Sequence, residues 1–336
     1  MTKLKVRRLF WALLLGGLAF FVWWCVAMPG QSYRGPLPPA AEETRQLSAA
    51  LEKHVRYLSE KIGERHHYTY RFQKEGTGEL EQAADWIEGE LRQSGLAVER
   101  QSYSLGNPPE KFCNLVAERK GGPEIVVVGA HYDSIPPTPG ADDNASGVAI
   151  LLELARRVRP GTRTIRFVAF TNEEPGYFQT KEMGSMVYAQ RCKAAAEPIT
   201  AMLSLETLGY YKDLPGTQKY PFPLGLAYPS TGDFVGFVGN LDSRALTHRS
   251  ISVFRTEASF PSQGACLPAM IPGVGWSDHW SFWQAGYPAV MITDTAPFRN
   301  PNYHQSTDTP ETLDYDRMAR VALGIQRVVE DLSSAP

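Results

Sequence analysis

Histidine and acidic side chains follow an apolar run in the middle of the chain. His131, Asp133 and the pair Asp142-Asp143 all lie within thirteen residues, directly after the apolar stretch 125–130. One imidazole and three carboxylates this close together are typical ligands of hard or borderline cations. The stretch therefore predicts part of a metal site.

The same pattern recurs in three later places, each time as an apolar run followed by acids or histidine. These are 164–170 before Glu173 and Glu174, 199–205 before Glu206, and 287–293 before Tyr303 and His304. In an open α/β sheet, ligands gather outside the carboxyl ends of the strands. We therefore expect these side chains to meet at one edge of a sheet.

The elements that must position these residues alternate along the chain. Apolar strand-like runs are separated by segments with helical periodicity, such as 145–158 and 183–195. This alternation predicts an α/β fold with a mostly parallel mixed central sheet and helices on both faces. No linker is visible inside residues 41–334, which we interpret as one domain, with 206–275 supplying loops around the active site.

The N-terminus has a different composition. Residues 1–8 are basic, 9–28 form an uncharged apolar stretch, and 29–40 are rich in proline and glycine. The sequence therefore predicts a cytoplasmic tail, a transmembrane signal anchor and an extended stalk, with the catalytic domain outside the cytoplasm, periplasmic or extracellular. A cleaved signal peptide is the alternative.

Charge and cysteine content exclude some classes of protein. The net charge is −2 over 336 residues, and residues 1–28 carry four cations and no acid, so the rest is near −6. An acidic body argues against nucleic acid as a partner. The four cysteines are scattered, which argues against a zinc site built from cysteine.

Taken together, five motifs in this order resemble a known family. They are HYD at 131–133, GADDNASG at 140–147, NEE at 172–174, Glu206 at a strand end, and YH at 303–304. The order is similar to that of the dinuclear zinc aminopeptidases and glutamate-carboxypeptidase-like enzymes of peptidase family M28. SDH at 277–279 followed by GYP at 286–288 extends the resemblance, which covers roughly residues 110–332.

The resemblance implies two zinc ions and a set of ligands. It implies that one zinc takes His131 and Glu206, that the other takes Glu174 and His304, and that Asp142 bridges them. A cis peptide would join Asp142 to Asp143, and Asp133 would orient His131. Glu206 departs from the pattern, because most members have aspartate at this position.

The resemblance also implies catalytic roles and a reaction. Glu173 would be the general base for a metal-bound water, and Tyr303 would donate a hydrogen bond to the developing oxyanion. Tyr210, Asp278 and His279 are candidates for the substrate pocket. The expected activity is hydrolysis of peptides by an aminopeptidase. A single-zinc glutaminyl cyclase, a zinc carboxypeptidase and a non-catalytic binding domain are the alternatives.

Overall fold

An eight-stranded sheet lies at the centre of the molecule. The computed structural model describes residues 3–66, 78–107, 109–159 and 161–334. The strands are β1 (Val98–Leu105), β2 (Glu110–Arg119), β3 (Gly122–His131), β4 (Arg163–Phe170), β5 (Ile199–Glu206), β6 (Val235–Gly239), β7 (Ser262–Cys266) and β8 (Ala289–Thr293). They run across the sheet in the order β1-β2-β4-β3-β5-β8-β6-β7.

The middle of the sheet is parallel. β3 pairs in parallel with β4 and β5, and β5 pairs in parallel with β8. Antiparallel pairing joins β1 to β2, β2 to β4 and β6 to β8, while β6 and β7 are again parallel. The mixed sheet predicted from the alternation of runs is therefore present.

Helices cover the sheet on both faces. They are α1 (Lys3–Val26), α2 (Glu42–Arg56), α3 (Glu79–Gln93), α4 (Gly147–Arg157), α5 (Gly184–Ala194), α6 (Arg244–Glu257), α7 (His279–Ala285), α8 (Ala296–Arg299) and α9 (Tyr315–Ser333). Val126 and Val128 pack with α2, α4 and α9, whereas Ile125 and Val127 pack with α5 and α7. Because β3 is buried on both sides from residue 125 onwards, residues 125–130 are continuously apolar and do not alternate.

The parallel strands place their carboxyl ends at one edge. β3 ends at His131, β5 ends at Glu206, and β4 and β8 end at Phe170 and Thr293. The segments that follow these strands carry the acids and histidines singled out in the sequence. The sheet therefore brings distant parts of the chain to a single edge, as expected.

The N-terminal helix differs from the prediction. Among the residues that the structure describes, no helix is both long enough and apolar enough to cross a bilayer, so the transmembrane helix predicted for residues 9–28 is wrong. The last turn of α1 instead packs on the protein, where Cys25 is buried against Ala265 and Leu267. The guanidinium group of Arg244 lies 4.3 Å from the ring centroid of Trp24.

The segment predicted to be a stalk, 29–40, contains no helix or strand but is attached to the body. The Ser262 amide donates a 2.9 Å hydrogen bond to Ser32 Oγ. Leu37 packs against the main hydrophobic core. Proline and glycine here prevent regular structure without preventing packing.

Candidate metal centre

Two histidines face one aspartate at the carboxyl edge of the sheet. His131 Nε2 lies 3.2 Å from Asp143 Oδ1, and His304 Nε2 lies 3.1 Å from Asp143 Oδ2. Glu206 Oε2 is 3.4 Å from His131 Nε2, and Glu174 Oε2 is 3.3 Å from His304 Nε2. Asp143 thus divides the group into two halves, each with one histidine and one glutamate.

Asp142 does not occupy the position that the resemblance implied. Its two carboxylate oxygens accept hydrogen bonds from the Gly209 amide at 2.9 Å and from Asn300 Nδ2 at 2.8 Å. The cis peptide also lies one residue later than expected, between Asp143 and Asn144. The carboxylate that lies between the two histidines is therefore that of Asp143, whereas the resemblance implied Asp142.

The turn that carries Asp143 explains this shift. The Asn144 side chain accepts hydrogen bonds from the amides of Gly147 and Thr207 and donates one to the Leu205 carbonyl. Asn144 therefore attaches the start of α4 to the end of β5. The residue directly before Asn144 is the one presented to the histidines.

The nitrogen and oxygen atoms of this group are suited to bind a metal cation. His131 Nε2, His304 Nε2 and Glu174 Oε1 are buried and have no hydrogen-bond partner. Ligand atoms of His131, Asp143 and Glu174 lie within 4.8 Å of one another. Because a buried polar atom without a partner is costly, a metal ion is the natural partner for this set. Imidazole nitrogens and carboxylate oxygens suit zinc.

Electrostatics in the group favour added positive charge. Burial alone would raise the pKa of Asp143, but the two histidines hold this pKa below its usual range. Burial alone would lower the pKa of His304, but the charges of Glu174 and Asp143 raise it to about 10. Burial together with Asp143 raises the pKa of Glu174 to about 7. The carboxylates outnumber the histidines, so a divalent cation would relieve their mutual repulsion.

Glu173 lies beside the half of the group that contains His131. Its Oε2 is 3.9 Å from His131 Nε2, whereas the neighbouring Glu174 faces His304. Burial raises the pKa of Glu173 well above its usual value, and the negative charge of Glu206 adds to this effect. The positive charge of His131 acts in the opposite direction. A carboxylate with a raised pKa is a stronger base.

Tyr303 lies against the other histidine. Its ring stacks on that of His304 with the centroids 3.9 Å apart. Burial and the charge of Asp143 raise the pKa of Tyr303 well above its usual value. The phenol therefore stays protonated and is available as a hydrogen-bond donor.

Two carboxylates hold the backbone of the group. Asp133 accepts hydrogen bonds from the amides of Glu173 at 3.2 Å and Glu174 at 3.1 Å. Its side chain is 3.6 Å from His131 Nδ1, which lies closer, at 3.2 Å, to the Asp133 carbonyl oxygen. Asp308 accepts from the amides of Asp142 and Asp143 in the same way, at 2.9 and 3.1 Å.

Asp308 and Arg65 were not found from the sequence. Arg65 is completely buried and donates hydrogen bonds to the carbonyl oxygens of Tyr132 and Gly140, at 2.8 and 2.9 Å. It therefore holds both ends of the loop that leads from His131 to Asp143. Both residues lie in loops without periodicity, so no pattern in the sequence indicated them.

An apolar cavity opens beside Glu206. Its volume is about 790 Å³ with the open mouth included, and its walls include Phe234, Phe237, Leu267 and Trp276. None of the described residues that line it is lysine or arginine. The three predicted pocket residues, Tyr210, Asp278 and His279, are buried and lie outside this cavity. His279 instead lies 2.8 Å, through Nε2, from the Val274 carbonyl oxygen.

Sequence comparisons identify relatives of the chain. The model of peptidase family M28 matches residues 114–329. The uncharacterized protein YfbL of Escherichia coli strain K12 is 38% identical, over 82% of this chain and 85% of its own. A probable leucine aminopeptidase of Arthroderma otae is 29% identical, over 83% of this chain and 69% of its own.

Solved structures share the fold. A zinc aminopeptidase from Bacillus subtilis superposes with a TM-score of 0.65 at 16% identity, covering 86% of this chain and 95% of its own. A glutaminyl cyclase from Fimbriiglobus ruber gives a TM-score of 0.61 at 19% identity, covering 90% and 99%. At these identities the likeness concerns the fold alone, and enzymes that catalyse two different reactions share this fold.

Proposed function

The chain belongs to peptidase family M28 and is a metal-dependent hydrolase of peptide bonds, and we propose that it is an aminopeptidase that uses two zinc ions and Glu173 as general base. One observation carries the proposal. The carboxylate of Asp143 lies between His131 and His304, with one oxygen directed at each. A carboxylate can serve two metals at once, whereas an imidazole nitrogen serves one.

Five residues would hold the two ions. His131 and Glu206 would bind one, Glu174 and His304 would bind the other, and Asp143 would belong to both. When bound, the ions lower the pKa of a water molecule and polarise the carbonyl group of the substrate. Asp133 and Asp308 hold the backbone amides of these ligands and so keep their side chains in place.

Two further residues would move or donate protons. Glu173 would take a proton from the attacking water and pass it to the leaving amine. Tyr303, a protonated phenol beside His304, would donate a hydrogen bond to the carbonyl oxygen as its negative charge grows. Asp133 supports the first step, because it holds the Glu173 amide.

The cavity favours an aminopeptidase over a carboxypeptidase. Recognition of a C-terminal carboxylate needs a cationic or strongly donating partner, and among the described lining residues there is no lysine or arginine. The apolar walls suit a substrate whose N-terminal side chain is apolar.

Zinc content and substrate choice test the proposal together. We expect two zinc ions per chain and hydrolysis of leucine anilide, with no hydrolysis of N-acetyl-leucine anilide. Cleavage of N-blocked peptides from their free C-terminus would favour a carboxypeptidase. One zinc per chain together with release of pyroglutamate from N-terminal glutamine would favour a cyclase, and either result would refute the proposal.

A further inference from the structure

Residues 24–32, here called the docking segment, run along the last strand of the sheet. Arg255 on α6 joins the two, since Nη1 donates to the Pro29 carbonyl at 2.8 Å and Nη2 donates to the Ser262 carbonyl at 3.0 Å. Ser32 accepts from the Ser262 amide at 2.9 Å. The segment is therefore attached through hydrogen bonds to the first residue of β7.

The docking segment also packs on both faces of β7. On one face, Met28 lies so close to Gly264 that a Cβ atom on this glycine would approach the methionine Cγ and Sδ atoms to 3.0 Å. On the other face, Cys25 is 1% exposed and belongs to a cluster with Ala265 and Leu267. β7 is thus enclosed by a segment that lies about 230 residues earlier in the sequence.

The residues on which Cys25 packs are walls of the apolar cavity. Ala265, Leu267 and Val274 form the buried cluster with Cys25, and the same three side chains line the cavity beside Glu206. Gln263 and Gly264 of β7 line it as well. One layer of side chains therefore separates the docking segment from the space proposed for the substrate side chain.

We propose that the docking segment determines substrate specificity by fixing the position of β7 and so the depth of the apolar cavity. This inference rests on the proposed aminopeptidase function and deepens it. β7 is short, lies at the edge of the sheet and pairs with one strand, β6. Its position therefore also depends on the segment that packs against it. A change of one methylene in an apolar pocket alters selectivity about 10- to 200-fold.

Substitutions in the full-length chain test the role of the segment. Arg255→Met keeps an apolar stem but removes the donors to Pro29 and Ser262, and Met28→Ala removes the packing on Gly264. The matched control is Arg249→Met, because Arg249 lies on the same helix and binds Asp331, at 2.7 Å, away from the segment. Each variant is compared with the wild type in zinc content and in kcat/KM for leucine and alanine anilides.

We expect the ratio of kcat/KM for leucine over alanine to fall about tenfold in Arg255→Met and in Met28→Ala. The change should be in KM, with zinc content unchanged, and Arg249→Met should keep the wild-type ratio. Hydrogen exchange of residues 24–32 should rise in Arg255→Met. Wild-type ratios in both test variants, or an equal fall in Arg249→Met, would overturn the inference. Absence of anilide hydrolysis by the wild type would instead refute the proposed function.

Discussion

Replacement of Arg65 by methionine is expected to destabilise the protein strongly. The guanidinium group is buried and donates to five backbone carbonyl oxygens. These belong to Leu58, Gly63, Tyr132, Pro139 and Gly140, at 2.6 to 3.0 Å. Burial lowers the pKa of Arg65 to about 10, so it remains charged at neutral pH, with Asp308 and Asp133 nearby as counter-charges.

The magnitude follows from the carbonyl groups that lose their donor. Methionine keeps the apolar part of the side chain but donates no hydrogen bond. A buried acceptor left without a partner costs about 1–3 kcal/mol. The carbonyls of Leu58 and Gly140 keep a second donor, from the amides of Gly63 and Ala145. At the lower end of this range, the other three carbonyls amount to about 3 kcal/mol, a substantial part of the roughly 5–15 kcal/mol by which folded proteins are stable.

Chemical unfolding of the metal-free protein measures this effect. The control is Arg119→Met, because the Arg119 guanidinium donates one hydrogen bond, at 2.7 Å, to the Ala155 carbonyl and lies away from the metal centre. The control should lose about 1 kcal/mol. Arg65→Lys, which keeps the charge and three donors, should fall between wild type and Arg65→Met. A loss below about 1 kcal/mol in Arg65→Met would refute this account of the loop.

Three further predictions concern the metal centre and its surroundings. Asp143→Asn should lose bound zinc while the neighbouring Asp142→Asn keeps it, and equal zinc contents in the two variants would contradict the assignment of the bridge. Ser277→Ala removes the 2.7 Å hydrogen bond to Glu206 Oε2 and should weaken zinc binding at least about tenfold in chelator competition; an unchanged affinity would argue against Glu206 as a ligand. Burial lowers the pKa of His279 from 6.5 to about 4, although the hydrogen bond to the Val274 carbonyl acts in the opposite direction. The unfolded chain therefore binds a proton that the folded chain does not, and stability should fall by about 3 kcal/mol as the pH falls from 6.5 to 4. His279→Gln should lose this part of the pH dependence, and an unchanged slope in urea unfolding would show that His279 does not cause it.

The edge of the sheet at which the site forms was predictable from the sequence. Parallel strands with apolar sequences end at a common edge, so His131, Glu173, Glu174 and Glu206 could be expected to meet there. The structure brings them together with His304. The apolar runs and their order along the chain are visible in the sequence, and this part of the prediction rests on them.

The choice between Asp142 and Asp143 was not predictable in the same way. The two residues are chemically identical neighbours, and only the turn at Asn144 decides which one faces the histidines. The partners of Asn144 and of Asp308 lie far away in the sequence. Such contacts leave no pattern in a single sequence.

The N-terminus illustrates a second limit. The length and the lack of charge of the stretch 9–28 predict a membrane span, yet among the described residues no helix is apolar enough to cross a bilayer. Whether an apolar residue contacts lipid or protein depends on tertiary structure, and here Cys25 packs against Ala265 and Leu267. Composition alone does not distinguish these surroundings.

The Glu173→Gln variant tests the central claim most directly, because it removes the proposed base and leaves the five proposed ligands unchanged. Zinc content and the turnover of leucine anilide are measured on the same preparation, with Arg249→Met as the control. We expect two zinc ions per chain, as in the wild type, and a kcat lower by at least about 10³-fold. Turnover close to that of the wild type would contradict the claim that Glu173 is the general base.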